Sequence, residues 1–214
     1  GIKASVLATL TSTMALKYTR FHTKPEISAR IIFCNASTVG TTAILLNSRS
    51  EAFPNGLGNS SGELGHNLMD HHYGMGASGI LPGLEDTYYS GRKPTGFYIP
   101  RFTNIDEETK RADYLRGFGY QGEARRITNA PEGVVGSALK DVIFKPGAYS
   151  VRMTCFGEML PYHENRMYLD FSKTDQHGMP LITFDAKLRE NEHKLRADGV
   201  KCAVEMLEAA GCTN

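Results

Sequence analysis

The chain is 214 residues long, 41% apolar and 22% charged, and its 24 Lys and Arg against 23 Asp and Glu leave a formal net charge of +1. That balance is ordinary for a globular protein and removes any electrostatic reason to expect nucleic acid or an anionic membrane as a partner. No apolar run approaches the roughly 18 residues that read as a membrane span, so a soluble protein is expected, cytoplasmic or periplasmic.

From the N-terminus, residues 4–10 and 14–20 read as a hairpin turning at Thr11 to Thr13, because Met14, Leu16 and Tyr18 alternate with Ala15, Lys17 and Thr19. Residues 29–34, with Ile31, Ile32, Phe33 and Cys34, are apolar enough for a third strand buried on both faces. Residues 38–48 are a helix candidate, and Ser37 or Thr38 can supply its capping oxygen. Gly56, Gly58, Asn59, Ser60, Ser61 and Gly62 then form a loop.

From Tyr73 onward strand follows strand, at residues 73–81, 95–102, 114–122, 148–160, 166–171 and 181–186, with turn residues such as Pro82-Gly83 and Pro146-Gly147 between them. Strands in succession without long intervening helices predict an antiparallel sheet. Residues 134–143 read as one short helix. Residues 188–210 carry Leu188, Leu195, Gly199, Cys202, Ala203, Met206 and Ala210 at helical spacing, and Gly211 stands where a C′ glycine stops a helix. The expected class is α+β: an antiparallel sheet of about six strands with flanking helices and a long C-terminal helix.

Little of the usual catalytic vocabulary is present. Asp70, His71 and His72 are adjacent, but neighbouring strand residues point to opposite faces, so the two histidines do not share an ion and no metal site is expected. Cys34, Cys155, Cys202 and Cys212 show no CxxC pair and are expected as reduced, mostly packed thiols. Neither a serine-hydrolase elbow nor a dinucleotide-binding loop is expected. Gly117, Gly119 and Gly122 lie inside a strand-like run with no helix behind it, where glycine marks a bulge or close backbone approach. Residues 106–111 (DEETKR) read as a solvated turn, and residues 88–94 as a polar aromatic loop, either a lid or plain surface.

Two stretches carry a family resemblance. Ser37-Thr38-Val39-Gly40-Thr41-Thr42-Ala43-Ile44-Leu45-Leu46-Asn47-Ser48 resembles the second signature of the glucose–methanol–choline (GMC) oxidoreductases, departing at Thr42, where Pro or Ser is usual, and at Arg49, where Gly is usual. Leu64-Gly65-His66-Asn67-Leu68-Met69-Asp70-His71 resembles that family's next landmark. Weaker likeness runs through Glu158 to Pro161, Asn165-Arg166 and Asp175 to Pro180, nearest the branch of pyranose oxidase and gluconate dehydrogenase-like proteins.

The resemblance implies FAD chemistry on CH–OH groups of alcohols or sugars. In the family a glycine-rich N-terminal loop holds the ADP part of FAD, and a His–His or His–Asn pair near the C-terminus handles the proton. The resemblance puts both outside these residues. The chain is therefore expected to be an internal part, inactive alone, with no catalytic residue of its own and no FAD bound by itself. Residues 1–62 would be a remnant of the flavin-binding domain, and residues 63–214 the substrate-binding sheet domain with the helix at 188–210. Asn35, Ala36, Ser37, Asn67, Asp70 and His71 would face the cofactor. Tyr98, Arg101, Tyr120 and Gln121, polar or aromatic positions on central strands, would face the substrate. The expected partners are a small alcohol or sugar and the missing flavin-binding domain. The alternative is a cofactor-free carbohydrate- or metabolite-binding module, suggested by the aromatic loop at 88–97, or a structural domain.

Overall fold

The computed structural model describes residues 3–7, 14–19, 26–84, 96–126, 132–144 and 147–213. Its contacts divide the chain into two units, Gly1–Met69 with Pro161–Lys187, and Asp70–Leu160 with Leu188–Asn214. Among the described residues no helix is long and apolar enough to cross a membrane.

In the first unit β1 (Lys3–Leu7), β2 (Met14–Thr19) and β3 (Glu26–Ala29) form an antiparallel meander. The expected hairpin is present, while its turn at residues 11–13 lies outside the described residues. The third strand falls earlier than expected. The β2–β3 ladder ends where Met14, the first residue of β2, pairs with Ala29. Among the described residues the apolar run beyond it pairs with no strand, and Ile31 and Phe33 are 71% and 82% exposed instead of buried. Apolar character alone does not bury a strand; a partner on each side must be there to cover it.

Helix α1 (Ser37–Asn47) follows. The expected capping oxygen is not used: Ala36 is the N-cap and no side chain caps the first turn. Ser37 has φ +61°, a left-handed backbone that turns the chain into the helix. At the other end Ser48 is buried and its Oγ donates to the Ile44 carbonyl at 2.7 Å. A run of turns then folds on Asn59, whose Nδ2 donates to the Asn55 carbonyl and whose Oδ1 accepts from the Leu64 amide at 3.0 Å. The unit closes with the antiparallel hairpin of β8 (Arg166–Thr174) and β9 (Pro180–Asp185), which contacts α1 through β8. Buried Asn165 ties its base, exchanging two 3.1 Å hydrogen bonds with the backbone of Lys187.

The second unit is a four-stranded antiparallel sheet in the order β4 (His71–Leu81), β7 (Tyr149–Glu158), β6 (Phe118–Arg126), β5 (Gly96–Ile99). Helix α2 (Gly136–Phe144) lies between β6 and β7 in sequence, and α3 (Glu190–Ala209) packs on one face of the sheet. All six expected strands exist, divided between this sheet and the β8–β9 hairpin, so the α+β class stands. Strand β6 starts later than expected. Tyr114 is buried but sits in the loop before it, where its hydroxyl donates to Asp198 of α3 at 2.6 Å and the Leu115 amide donates to Asn191 Oδ1 at 2.7 Å. Those bonds to α3 replace the ladder the sequence pattern anticipated.

The core lies between the sheet and α3. Phe118, Tyr120, Met153, Cys155 and Met75 from the strands meet Leu195, Cys202, Ala203 and Leu207 from the helix. Each such large side chain contributes about 1.5–3 kcal/mol on burial. Gly199 lets the helix come close: a Cβ there would stand 2.8 Å from the Cys155 sulfur. The Tyr120 hydroxyl donates to the Gly199 carbonyl at 2.6 Å. Glu192, fully buried, caps the start of α3 by accepting from the Arg189 amide at 2.9 Å, and also accepts from the Leu160 amide at 3.2 Å. Gly211, at φ +83°, ends the helix as the sequence predicts, with the Cys212 amide donating back to the Leu207 carbonyl. Thr213 then pairs with Ile80 of β4.

Candidate functional site

Strand parity sorts the second unit's residues onto two faces. On β6 the even positions Phe118 and Tyr120 face the core, and the odd positions Gln121, Glu123 and Arg125 are exposed. On β7 the odd positions Met153 and Cys155 face the core, and Ser150, Arg152, Thr154 and Phe156 alternate with them. The register sets Gln121 opposite Thr154, Glu123 opposite Arg152 and Arg125 opposite Ser150. Across β7, Gly76 stands opposite Thr154 and Ser78 opposite Arg152 on β4.

These outward residues line a groove of about 400 Å³, floored by Gly74 and Gly76 and walled by Ser78, Glu123, Arg125, Ser150, Arg152 and Thr154. That is within the range of small-molecule sites, roughly 300–1,000 Å³. The floor requires glycine: at Gly76, with φ +138°, a Cβ would collide with the Met153 carbonyl. Sequence reasoning passed over Glu123, Arg125 and Arg152. The signal was available in the polar-every-second-residue pattern of β6 and β7, but it needed the register to place three strands side by side.

Of the four expected substrate residues, two face outward with this groove. Gln121 is exposed beside it, and Tyr98 is its cross-strand partner on β5. Tyr120 points the other way, with no exposed surface, and burial is the main reason its phenol is pushed far above its ordinary pKa. Arg101 lies past the end of β5 and holds a loop, donating to the Thr103 carbonyl at 2.9 Å and to that of Asn104, and pairing with Glu158 at 3.4 Å. Its side chain passes over Gly117, where a Cβ would be 2.6 Å from Nε. The loop at residues 88–94 lies outside the described residues.

The expected cofactor-facing residues fall in both units. Asn35, Ala36 and Ser37 are exposed at the uncapped N-terminus of α1. Asn67 lies in the first unit, exposed and at φ +56°, two residues after Gly65, whose carbonyl accepts from the Met167 amide. Asp70 and His71 begin the second unit; the Asp70 carboxylate accepts from the His71 amide at 2.7 Å, and the His71 ring meets Phe156 edge-on. His72, the next residue, is buried. Neither of its ring nitrogens makes a well-formed hydrogen bond with a described residue, and burial lowers its pKa against the pull of the Glu192 carboxylate and the Glu158 backbone. In the first unit His66 stacks on His163 with ring centroids 4.1 Å apart, and its Nδ1–H donates to the His163 carbonyl.

Two nucleotide-type spacings and one hydrolase-type spacing occur in the sequence. Gly74-Met75-Gly76-Ala77-Ser78-Gly79 and Gly117-Phe118-Gly119-Tyr120-Gln121-Gly122 both have GxGxxG spacing, and Gly58-Asn59-Ser60-Ser61-Gly62 has that of GxSxG. None has the setting that gives the motif its chemistry. The first lies in β4, the second runs into β6, and the third sits among turns with no helix behind it. For FAD the chain thus presents a partial fit. The open first turn of α1 leaves N–H groups for an acceptor oxygen of such a group, while no described strand–turn–helix cradles a pyrophosphate.

No protein-family model matches the sequence. A 2-methyl-1,2-propanediol dehydrogenase of Mycolicibacterium austroafricanum is 29% identical over 201 residues, covering 90% of this chain and 36% of that protein. The fructose dehydrogenase large subunit of Gluconobacter japonicus is 27% identical over 164 residues, covering 75% of this chain and 30% of that protein. The chain spans about a third of the length of these curated relatives. Both are named dehydrogenases, which is consistent with an oxidoreductase.

Proposed function

We propose that the chain is the substrate-side part of an FAD-dependent oxidoreductase of the glucose–methanol–choline type, acting on CH–OH groups of a sugar or alcohol. The observation that carries this reading is the pair of motifs at residues 37–48 and 64–71, in family order, in a chain whose relatives are named for oxidising a diol and a ketose. FAD supplies the hydride acceptor when bound, and its main holder and the proton-accepting base are contributed by residues outside this chain.

The chain's own residues bind and orient. Asn35, Ala36 and Ser37 offer the open turn of α1 to a polar edge of the cofactor, with Asn67, Asp70 and His71 as further contacts. Gln121 and Tyr98 reach the substrate from the outer sheet face. Tyr120 joins the sheet to α3 through the Gly199 carbonyl, and Arg101 holds the loop after β5 through the Thr103 carbonyl.

The test is expression of the gene product with whatever its reading frame encodes on either side of these residues. The product should carry flavin absorbance that bleaches when a sugar or alcohol is added without oxygen. A flavin-free product, or one inert to all such donors, overturns the proposal. Tight FAD binding by the 214-residue chain alone overturns the placement of the main FAD holder elsewhere.

A further inference from the structure

A second pocket lies wholly within the first unit, where the C-terminal end of α1 meets β8. Its volume is about 300 Å³, at the small end of small-molecule sites. Helix α1 has 11 residues, so this pocket is a helix length, roughly 16 Å, from the open first turn proposed above to meet the cofactor. The floor is apolar, formed by Leu46, Met167 and Leu169, each at most 9% exposed. The walls are fixed. Buried Asn59 ties the loop through the Asn55 carbonyl and the Leu64 amide, and His66 is stacked on His163. The Met167 amide donates to the Gly65 carbonyl at 2.8 Å, and a Cβ at Gly65 would collide with the Met167 carbonyl. Because the Met167 amide points away from β9, that of Leu169, two residues on, points to the same edge of β8.

The rim carries guanidiniums that this scaffold leaves open. Arg49 lies 3.8 Å over the Phe171 ring and uses only Nε, on the Leu46 carbonyl at 3.4 Å. Arg166 lies 5.2 Å over the Tyr168 ring and makes no hydrogen bond or ion pair with another described residue. Asp185 stands opposite Arg166 on β9, but the two do not pair. Among the described residues no Asp or Glu lines the pocket.

We infer that this pocket binds a phosphate monoester with a small apolar body, its phosphate at Arg49 and Arg166 and its body on the Leu46, Met167 and Leu169 floor. A guanidinium laid over an aromatic ring still presents its planar fork of N–H donors. The two forks come from different elements, the loop after α1 and strand β8. A carboxylate has two oxygens in one plane and is matched by a single fork. A phosphate monoester has three acceptor oxygens, enough to take both forks and the Leu169 amide together. Inorganic phosphate would meet the arginines and leave the apolar floor bare, forgoing the gain from covering it. The inference does not depend on the flavin reading.

Four probes separate the cases: phenyl phosphate, benzoate and phenol, which share one ring, and inorganic phosphate. Calorimetry on the 214-residue chain should find phenyl phosphate bound tightest, at least about ten-fold tighter than phenol, the scale of one hydrogen bond to a charged group. Added salt should erode that advantage. The double variant Arg49→Gln/Arg166→Gln should bring phenyl phosphate down to the level of phenol while its circular dichroism stays that of the folded chain, since both side chains are exposed. The single variant Arg49→Lys, which keeps the charge and removes the fork, should retain part of the preference. Equal binding of phenyl phosphate and phenol, binding of neither, tighter binding of benzoate, or a preference that survives the double variant each overturns the inference. Inorganic phosphate bound as tightly as its phenyl ester overturns the apolar body. The gene product with its flanking residues should bind phenyl phosphate as the 214-residue chain does, with or without flavin. Binding lost there would mean that the rest of the product covers the pocket, and also overturns the inference.

Discussion

The two faces of the four-stranded sheet are built from the same strands and do opposite things. Tyr120 and Gln121 are neighbours in sequence. Tyr120 is wholly buried, bonded to the Gly199 carbonyl and packed among Phe118, Phe102 and Cys155, while Gln121 is exposed beside a polar groove. The inner face spends its residues on contact with α3. The outer face presents hydroxyls, two guanidiniums and a carboxylate around a groove lined also by Gly74 and Gly76. The period of two in a strand therefore separates stability from the recognition proposed for the outer face, residue by residue. A substitution should affect one or the other, rarely both.

The largest test of that separation is Leu195→Ala. Leu195 is fully buried in the inner-face core, and its truncation should cost about 2–5 kcal/mol, read as a lowered denaturation midpoint. Arg152→Ala on the outer face should stay within about 0.5 kcal/mol. Equal losses would break the comparison.

Glu192→Ala comes next. It removes the acceptor of two backbone amides, those of Arg189 and Leu160, in a fully buried site. A loss of about 1–3 kcal/mol is expected, with helix α3 fraying first in hydrogen exchange, and Glu192→Gln should recover part of it. Tyr120→Phe is smaller. It removes the Tyr120 hydroxyl's bond to the Gly199 carbonyl and should cost about 1 kcal/mol, whereas Gln121→Ala should leave the melting temperature unchanged.

The smallest effect is a pH dependence. Burial depresses the His72 pKa, against the pull of the nearby Glu192 carboxylate and aided by Arg196 and His193. Above the ordinary value of 6.5 the ring is neutral in folded and unfolded chains alike, and it adds no pH dependence. Below it the unfolded chain takes up a proton that the folded chain resists, so stability falls with pH until the depressed folded value is reached. His72→Leu should flatten that acid limb in pH-resolved denaturation curves; an unchanged limb would show that other groups cause it.

Much of this was legible in the sequence, for identifiable reasons. Helix α3 was, because its apolar residues repeat at helical spacing and Gly211 marks its end. The six strands after Asp70 were, because turn residues punctuate them. Two misplacements share one cause. Residues 30–34 and 114–117 have strand-like composition, but strands are made by partners. Among the described residues the first run pairs with no strand, and the second is drawn into bonds with Asp198 and Asn191 on α3. The groove was the least legible feature. Its residues come from β4, β6 and β7, and their convergence is a property of register, as is the division of Tyr120 from Gln121.

The most direct measurement of the proposed function is a paired one on those two neighbours, in the gene product loaded with the flavin proposed for it. Gln121→Ala should raise KM for the donor at an unchanged melting temperature, and Tyr120→Phe should lower the melting temperature at an unchanged KM. A KM that responds to Tyr120→Phe and ignores Gln121→Ala would contradict the assignment of the outer face to the substrate.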